Sequence, residues 1–415
     1  MLRTVGWGSL FLGLGLAAPV WAEGPPPVKL GLVVPIAGEA SRAGQGMRQA
    51  AEMAIGDWTG TLRRKVELSI EEDQFDPTHA ITVAEKFVRE GVWGVVGHFY
   101  SSSSIAASVV YHEANIPQIT ATSTHPRLTA QGYENIFRVS GRDDQHALSA
   151  AEFILSRLRA RRIAVIHDRT EYGRTLAETL ITSVERRAGR RVTAVEAIVQ
   201  GDEDFSAVVS RLKSVGPDVV YFGGLSREGG YLIRQMRQAG VRASFVSADG
   251  SLDPEFVKIA GEEAASGAYF TFAPDARLLA SAQPFRQRFE ARYGPMGPYV
   301  PHTFDAMGVL LCAIGAAKPR DNTKGELAKV LKAVHEMSYD GALGRLRWDR
   351  NGDLVASPYV VYVSKKGGSL HGWFEQLAAV SPTRDRALTP AAERHDGQPR
   401  TDNRPISNCG LSIFH

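Results

Sequence analysis

Four consecutive serines, Ser101 to Ser104, follow an apolar stretch, Val92–Phe99, that closes on Phe99-Tyr100. The stretch reads as a buried strand and Ile105–Ala114 as a helix, so the serines fall where a strand ends and a helix begins. The first N–H groups of a helix lack internal partners and carry partial positive charge. Small hydroxyls at that point either cap the helix or leave its N–H groups open to an anion. Other strand ends carry comparable chemistry. Thr122, Ser123 and Thr124 follow Ile116–Thr120, and Asp168 and Tyr172 follow Arg162–His167. Gly223-Gly224-Leu225 follows Asp218–Phe222, and Asp249-Gly250 follows Phe245–Ala248. Each has a plain alternative: Tyr172 covering a helix start, Asp249-Gly250 making an ordinary turn. Together they place hydroxyls suited to a carboxylate on one block of the chain and an aromatic and an acid on another. Ligands of open parallel sheets sit beyond such strand ends.

The elements that must position these residues alternate from Val28 onward. Val28–Pro35, Val66–Glu72 and Val192–Val199 complete the early strand set, each short and rich in Val and Ile, as strands covered on both faces are. Helical periods lie between them, among them Thr78–Arg89, opened by Asp76-Pro77 and stopped by Gly91, and Phe205–Val215, preceded by Asp204 and ended by Gly216-Pro217. This alternation predicts an α/β fold with parallel sheets and right-handed crossovers. Two blocks, 28–141 and 144–272, are each large enough for a doubly wound sheet. Helical periods at 276–293, 302–317 and 323–337 and extended segments at 343–349 and 359–364 come afterwards, as if the chain returns to the first lobe and crosses once more to the second.

Of 415 residues 44% are hydrophobic and 22% charged, the balance of a soluble globular chain, and the net charge is only +3. No basic run, zinc spacing or RNA-binding signature is present, so nucleic acid is not an expected partner. Arg3, the apolar Val5–Ala18 and Val20-Trp21-Ala22 form a secretory signal with cleavage expected after Ala22, placing the product in the periplasm. Cys312 sits in an apolar helical run and Cys409 in a polar tail, and the first reads as a bystander thiol rather than a partner of the second. Residues 380–415 read as a disordered tail. Catalytic signatures are missing: no Gly-x-Ser-x-Gly elbow, no phosphate loop, no His-Glu-x-x-His helix and no dinucleotide fingerprint after a strand. No enzyme activity, cofactor or metal is expected.

Gly97-His98-Phe99-Tyr100-Ser101-Ser102-Ser103 resembles the ligand loop of the periplasmic leucine/isoleucine/valine-binding proteins, type I substrate-binding proteins of ATP-driven branched-chain amino acid importers. The likeness continues through Glu72–Pro77, Ile119–Thr129, Ile166–Gly173, Asp204–Ser206, Tyr221–Gly224 and Trp348–Asp353, covering about 28–375. It implies two lobes, 28–141 with 275–350 and 144–271 with 357–375, joined by three crossings and closing on a small ligand. By position it implies that Ser101 and Thr124 hold a carboxylate, with backbone N–H groups near Ser101, Ser103 or Thr124. The Thr122 carbonyl and Asp249 would take an α-ammonium, with Tyr172 closing from the second lobe. Ser123 belongs to the same loop, and Phe99, Tyr100, Leu225 and Tyr299 shape the side-chain compartment. Phe75 and Tyr100 stand where these relatives carry a disulfide, Leu225 replaces a tyrosine and Asp249 a glutamate. The implied partners are an amino acid or related small carboxylate and an ABC permease in the inner membrane, with the protein acting as a monomer. Two alternatives stay open: a ligand sensor of a regulatory or chemotaxis system, and a secreted serine hydrolase using Ser101 with His98 or His125.

Overall fold

The computed structural model describes residues 26–367 apart from Glu39 and Arg190, residues 374–377, and the short segment 408–410. The expected signal peptide and most of the expected tail lie outside the described residues. Two sheets organise the chain. The first contains β1 (Val28–Val33), β2 (Val66–Glu71), β3 (Val95–Val96), β4 (Gln118–Thr120) and β5 (Ile136–Arg138), all parallel, in the order β2-β1-β3-β4-β5. The second is built on β6 (Ile163–His167), β7 (Ala194–Ala197), β8 (Val219–Gly223), β9 (Ser244–Ser247) and β10 (Tyr269–Phe272), parallel in the order β10-β9-β8-β6-β7. A hairpin, β11 (Ser338–Gly341) and β12 (Gly344–Leu346), stands apart from both. Then β13 (Val360–Ser364) and β14 (Phe374–Gln376) extend the second sheet, each antiparallel to its neighbour. The chain therefore enters the second sheet, leaves it and re-enters it, as the late helices and strands suggest.

Helices α1 (Ser41–Leu62), α2 (Pro77–Glu90) and α3 (Ser101–Glu113) cover the first sheet, and α4 (Arg127–Ala130) follows β4. After β5 come α5 (Asp143–Glu152), α6 (Glu171–Ala188), α7 (Ser206–Val215) and α8 (Ser226–Gln238) of the second lobe. Local signals set several ends: Asp76 accepts from the Thr78 N–H at 2.8 Å, Pro77 opens α2, and Gly91 closes it at φ 72°. The three-residue β5 escapes a reading by alternation because it ends in a charged residue, Arg138.

The two largest of the buried hydrophobic sets serve one sheet each. One joins β1 and β3 to the long apolar helix Val300–Ala317, of which 15 of 18 residues are buried. It is the one helix among the described residues long and apolar enough to span a membrane, and it lies in this core. The other core packs β8 and α8 around Phe222, Phe245, Phe256 and Phe270. Cys312, inside the first core, is disulfide-bonded. This corrects the expectation of a bystander thiol. The reason is tertiary: the backbone at 408–410 returns as a strand parallel to β11, with Cys409 opposite Tyr339. No sequence periodicity announces that return.

A buried ion pair ties the crossings together. Arg138, fully buried, donates through Nε to Asp353 Oδ1 at 2.7 Å and through Nη1 to the Ser123 carbonyl at 2.9 Å. Its Nη2 reaches the His125 carbonyl at 3.1 Å and Thr129 Oγ1 at 2.9 Å. Asp353 Oδ2 accepts from Arg142 Nη1 at 2.8 Å. Removing one partner of such a pair strands a charge without water. Asp353→Ala is expected to cost about 3–5 kcal/mol of stability, read as a lower urea midpoint at unchanged slope. A midpoint shift too small to measure would mean the pair does not hold the crossings.

Candidate ligand-binding site

In both sheets the strand order reverses beside the central strand, between β1 and β3 and between β6 and β8. Helices leave in opposite directions at such a point, which opens a crevice beyond the strand ends. The two crevices face one another and form a cleft of about 630 Å³. It is lined by Phe99, Tyr100, Ser101, Thr122, Thr124 and Tyr299 from one side and by Tyr172, Leu225 and Asp249 from the other. Nine of the ten residues singled out by sequence thus meet at one place. Ser123 does not line it: its hydroxyl lies behind the wall, 2.7 Å from Ser104 Oγ and 3.1 Å from the His98 carbonyl.

The serine run is placed differently from the sequence reading. Helix α3 begins at Ser101, Tyr100 is its N-cap, and no side chain caps it. The serines therefore occupy the first turn instead of capping it. The Ser104 N–H already bonds the Tyr100 carbonyl at 2.9 Å, while the N–H groups of Ser101 and Ser102, at the cleft wall, precede the first intrahelical bond. Ser101 is 6% exposed, with its hydroxyl at the same wall. In the neighbouring loop the carbonyls of Ser123, Thr124 and His125 are taken by Arg138, the Asp143 N–H and Arg138 again. Among the described residues no donor reaches the Thr122 carbonyl, which leaves it free to accept from a ligand.

Across the cleft, Asp249 is 5% exposed and held by two phenols. Tyr172 donates to its Oδ1 at 2.8 Å, and Tyr299 to its Oδ2 at 3.1 Å. The Gly250 N–H in turn donates to Tyr172 Oη at 2.9 Å. Burial, with the Asp249 charge second, pushes both phenols well above their usual range, so they remain donors. A Cβ at Gly250 would lie 2.9 Å from the Tyr172 ring, so the ring needs a glycine there. Asp143, at the start of α5, is fully buried; burial first and the Asp249 charge second push its pKa well above the carboxylate range. Burial thus drives the Asp143 carboxyl toward its neutral form.

Tyr299 and His125 both make contacts across the cleft between the lobes. Tyr299 packs against both cores and carries the bond to Asp249. The second was not foreseen as a lobe-to-lobe contact. His125 Nδ1 accepts from the Arg127 N–H at 3.0 Å, so its proton sits on Nε2, 2.7 Å from Thr175 Oγ1 of α6. Glu171 Oε2 lies 3.5 Å from the same nitrogen. Both ring nitrogens are thereby engaged. His98 is wholly buried, 2.7 Å from Asp73 and 3.0 Å from the Tyr111 hydroxyl. Both histidines are engaged elsewhere, so neither is placed as the base that the hydrolase alternative requires for Ser101. Among the described residues no group of three metal-binding side chains occurs. Sequence reading also missed Leu252 and Asp253 on the cleft wall. The Asp253-Pro254 pair, which opens the short helix Pro254–Ala260, was the available signal. Phe75 and Tyr100, where the resemblance replaces a disulfide, stack their rings instead.

Two parallel α/β lobes closing a shared cleft, with an open helix N-terminus on one and a carboxylate on the other, define a solute-binding protein. The periplasmic binding protein family matches residues 27–369, and the chain belongs to it, among the Leu/Ile/Val-binding proteins. A Leu/Ile/Val-binding protein homolog 1 of Brucella abortus is 36% identical over 368 residues, 86% of this chain and 96% of that one. An amino acid binding protein of Pseudomonas aeruginosa is 36% identical over 365 residues, 86% and 94% of the two chains. Among solved structures, a leucine binding protein of Thermotoga maritima superposes with a TM-score of 0.77 at 28% identity, covering 86% of this chain and 99% of its own. The family is non-enzymatic, and this chain has a solute-binding role.

Burial first, opposed by Glu171 and reinforced by Arg138, Arg127 and Arg174, lowers the His125 pKa from 6.5 to about 4. A depressed histidine contributes stability that is complete above its unfolded value and is lost as pH falls through its folded one. Ligand affinity is therefore expected to weaken as pH drops from 6.5 toward about 4, and His125→Gln to flatten that part of the profile. Calorimetric titrations at several pH values check this, and superimposable profiles for the two proteins would discard the contact as a closing element.

Proposed function

We propose that the cleft captures an α-amino acid or a related small carboxylate and that closure of the two lobes commits the complex to an ABC permease in the inner membrane. The observation that carries this reading is the opposition of the uncapped α3 N-terminus to Asp249 across one cleft. The ligand carboxylate lies against the N–H groups of the first turn of α3, with the hydroxyls of Ser101 and Thr124. Helix-terminal N–H groups and hydroxyls suit an anion that must leave as readily as it enters. The α-ammonium lies between the Thr122 carbonyl and Asp249, whose orientation Tyr172 and Tyr299 hold. Asp249 is a methylene shorter than glutamate, and a bridging water is a natural way to span the difference. Closure excludes solvent, and charge-assisted bonds strengthen as the local dielectric falls.

In this reading the moving bodies are 28–141 with 275–350 and 144–271 with 357–375, and the protein works as a monomer. Export through a signal cut after Ala22 puts it in the periplasm, where the permease is reached. The curated relatives named as Leu/Ile/Val- and amino acid-binding proteins support the ligand class. Loss of one hydrogen bond to a charged group costs about 1–3 kcal/mol. Ser101→Ala is expected to weaken amino-acid binding by that amount, and Asp249→Asn to reduce it for amino acids more than for the corresponding carboxylates without an ammonium. Calorimetry against both ligand sets makes the comparison. Unchanged affinity in Ser101→Ala would remove the α3 terminus from the site, and an equal loss for both sets would remove Asp249 from the ammonium.

A further inference from the structure

We infer that the side-chain compartment of this cleft is built for an aromatic amino acid, with Phe75 as its specificity-determining residue. The inference rests on the amino-acid reading above and concerns only what lies beyond the α-carbon. One wall is a chain of four rings, each touching the next: Phe75 stacks on Tyr100, Tyr100 meets Phe99 edge-on at 4.8 Å, and Phe99 meets Tyr299 edge-on at 5.6 Å. All four line the cleft. Neighbouring rings at 76° and 82° present faces and edges alternately, the arrangement into which a further ring fits by its own quadrupole.

The remaining surroundings leave room for that ring. Ala37, Ala40 and Ala43 come from the loop before α1 and its first turn, and Leu225 and Leu252 from the second lobe. The cleft of about 630 Å³ has room for a whole aromatic amino acid. Phe75, 37% exposed, is the most open of the four rings. A large apolar side chain this open, inside a concave site, marks contact with a ligand.

The backbone holds Phe75 there at a cost. Gln74 and Phe75 have φ of 52° and 67°, a left-handed pair unusual for residues with bulky side chains. The turn is fastened from below. Asp73 Oδ1 accepts from the Phe75 N–H at 3.1 Å, while its Oδ2 lies 2.7 Å from His98, which contacts the Tyr111 hydroxyl at 3.0 Å. Three buried polar groups thus hold a strained turn whose exposed product is one phenyl ring over the cleft. Strain maintained in this way points to a site where the ring is needed.

The test is calorimetry of the full mature chain with L-Phe, L-Tyr and L-Trp against L-Leu, L-Ile and L-Val. The aromatic set is expected to bind about tenfold tighter, the size of one added ring contact with its buried area. Phe75→Ala and Phe75→Leu, each checked for an unchanged melting temperature, are expected to reduce the ratio of L-Phe to L-Leu affinity about tenfold. Tighter binding of L-Leu, L-Ile or L-Val by the unaltered chain, or a ratio unmoved in both variants, overturns the inference and leaves the amino-acid reading standing. Failure of every amino acid to bind overturns the amino-acid reading, and this inference with it.

Discussion

The buried guanidinium of Arg138 is the constraint on which the site depends. An arginine removed from water must satisfy its N–H groups inside the protein, and the acceptors available to this one are not local. Asp353 comes from the last crossing between lobes, the Ser123 and His125 carbonyls from the loop after β4, and the Thr129 hydroxyl from α4. Asp353 then reaches Arg142, at the first crossing. One ion therefore fixes the distance between a hinge segment and the loop that carries Thr122 and Thr124. It also decides which carbonyls of that loop are taken and which one remains for a ligand. Gly352 belongs to the same arrangement. Its carbonyl accepts from the Arg138 N–H at 3.0 Å, and its φ of 84° lets the chain lie against β5 where a Cβ would strike the Ile136 carbonyl.

From that anchor the cleft acquires opposite characters on its two sides. The first lobe offers N–H groups and hydroxyls, a partial positive end without a mobile cation. The second offers a carboxylate locked by phenols whose own ionisation is suppressed by burial and by that same carboxylate. A zwitterion matches both at once, and each lobe alone supplies half of the match. In the proposed reading, binding energy is thereby coupled to bringing the lobes together, which is how a hinged protein can make closure report occupancy. Tyr299 and His125 add protein contacts across the gap.

Much of this arrangement was legible because strand alternation, caps and strand-end residues are local signals. Asp76-Pro77 and Gly91 bound α2 as read, and Ser101, Thr122, Thr124, Tyr172 and Asp249 were reachable from the rule that ligands lie beyond parallel strand ends. The serine run was misread in one respect, because a hydroxyl at a helix start is equally able to cap or to stand in the first turn. Only the backbone conformation of Tyr100 decides between them. The Cys312 disulfide was missed because its closure depends on a strand at 408–410 that pairs with β11 from far along the chain. His125 entered the sequence reading only as a base for Ser101 in the hydrolase alternative, and its engagement with Thr175 required both lobes to be in place.

By itself the sequence determined the alternating α/β architecture, the division into two sheets and the polar character of the strand ends, since burial on both faces and helix-end chemistry are imposed residue by residue. Tertiary structure alone decided which polar groups remain free. Hydrogen-bond capacity is shared among partners distant in sequence: Arg138 takes the carbonyls of Ser123 and His125 and leaves that of Thr122, and Tyr172 and Tyr299 orient Asp249. It also decided that Phe75, read in sequence only as standing in place of a disulfide cysteine, stands over the cleft, because the buried Asp73–His98 contact holds that turn in a conformation no local preference would select.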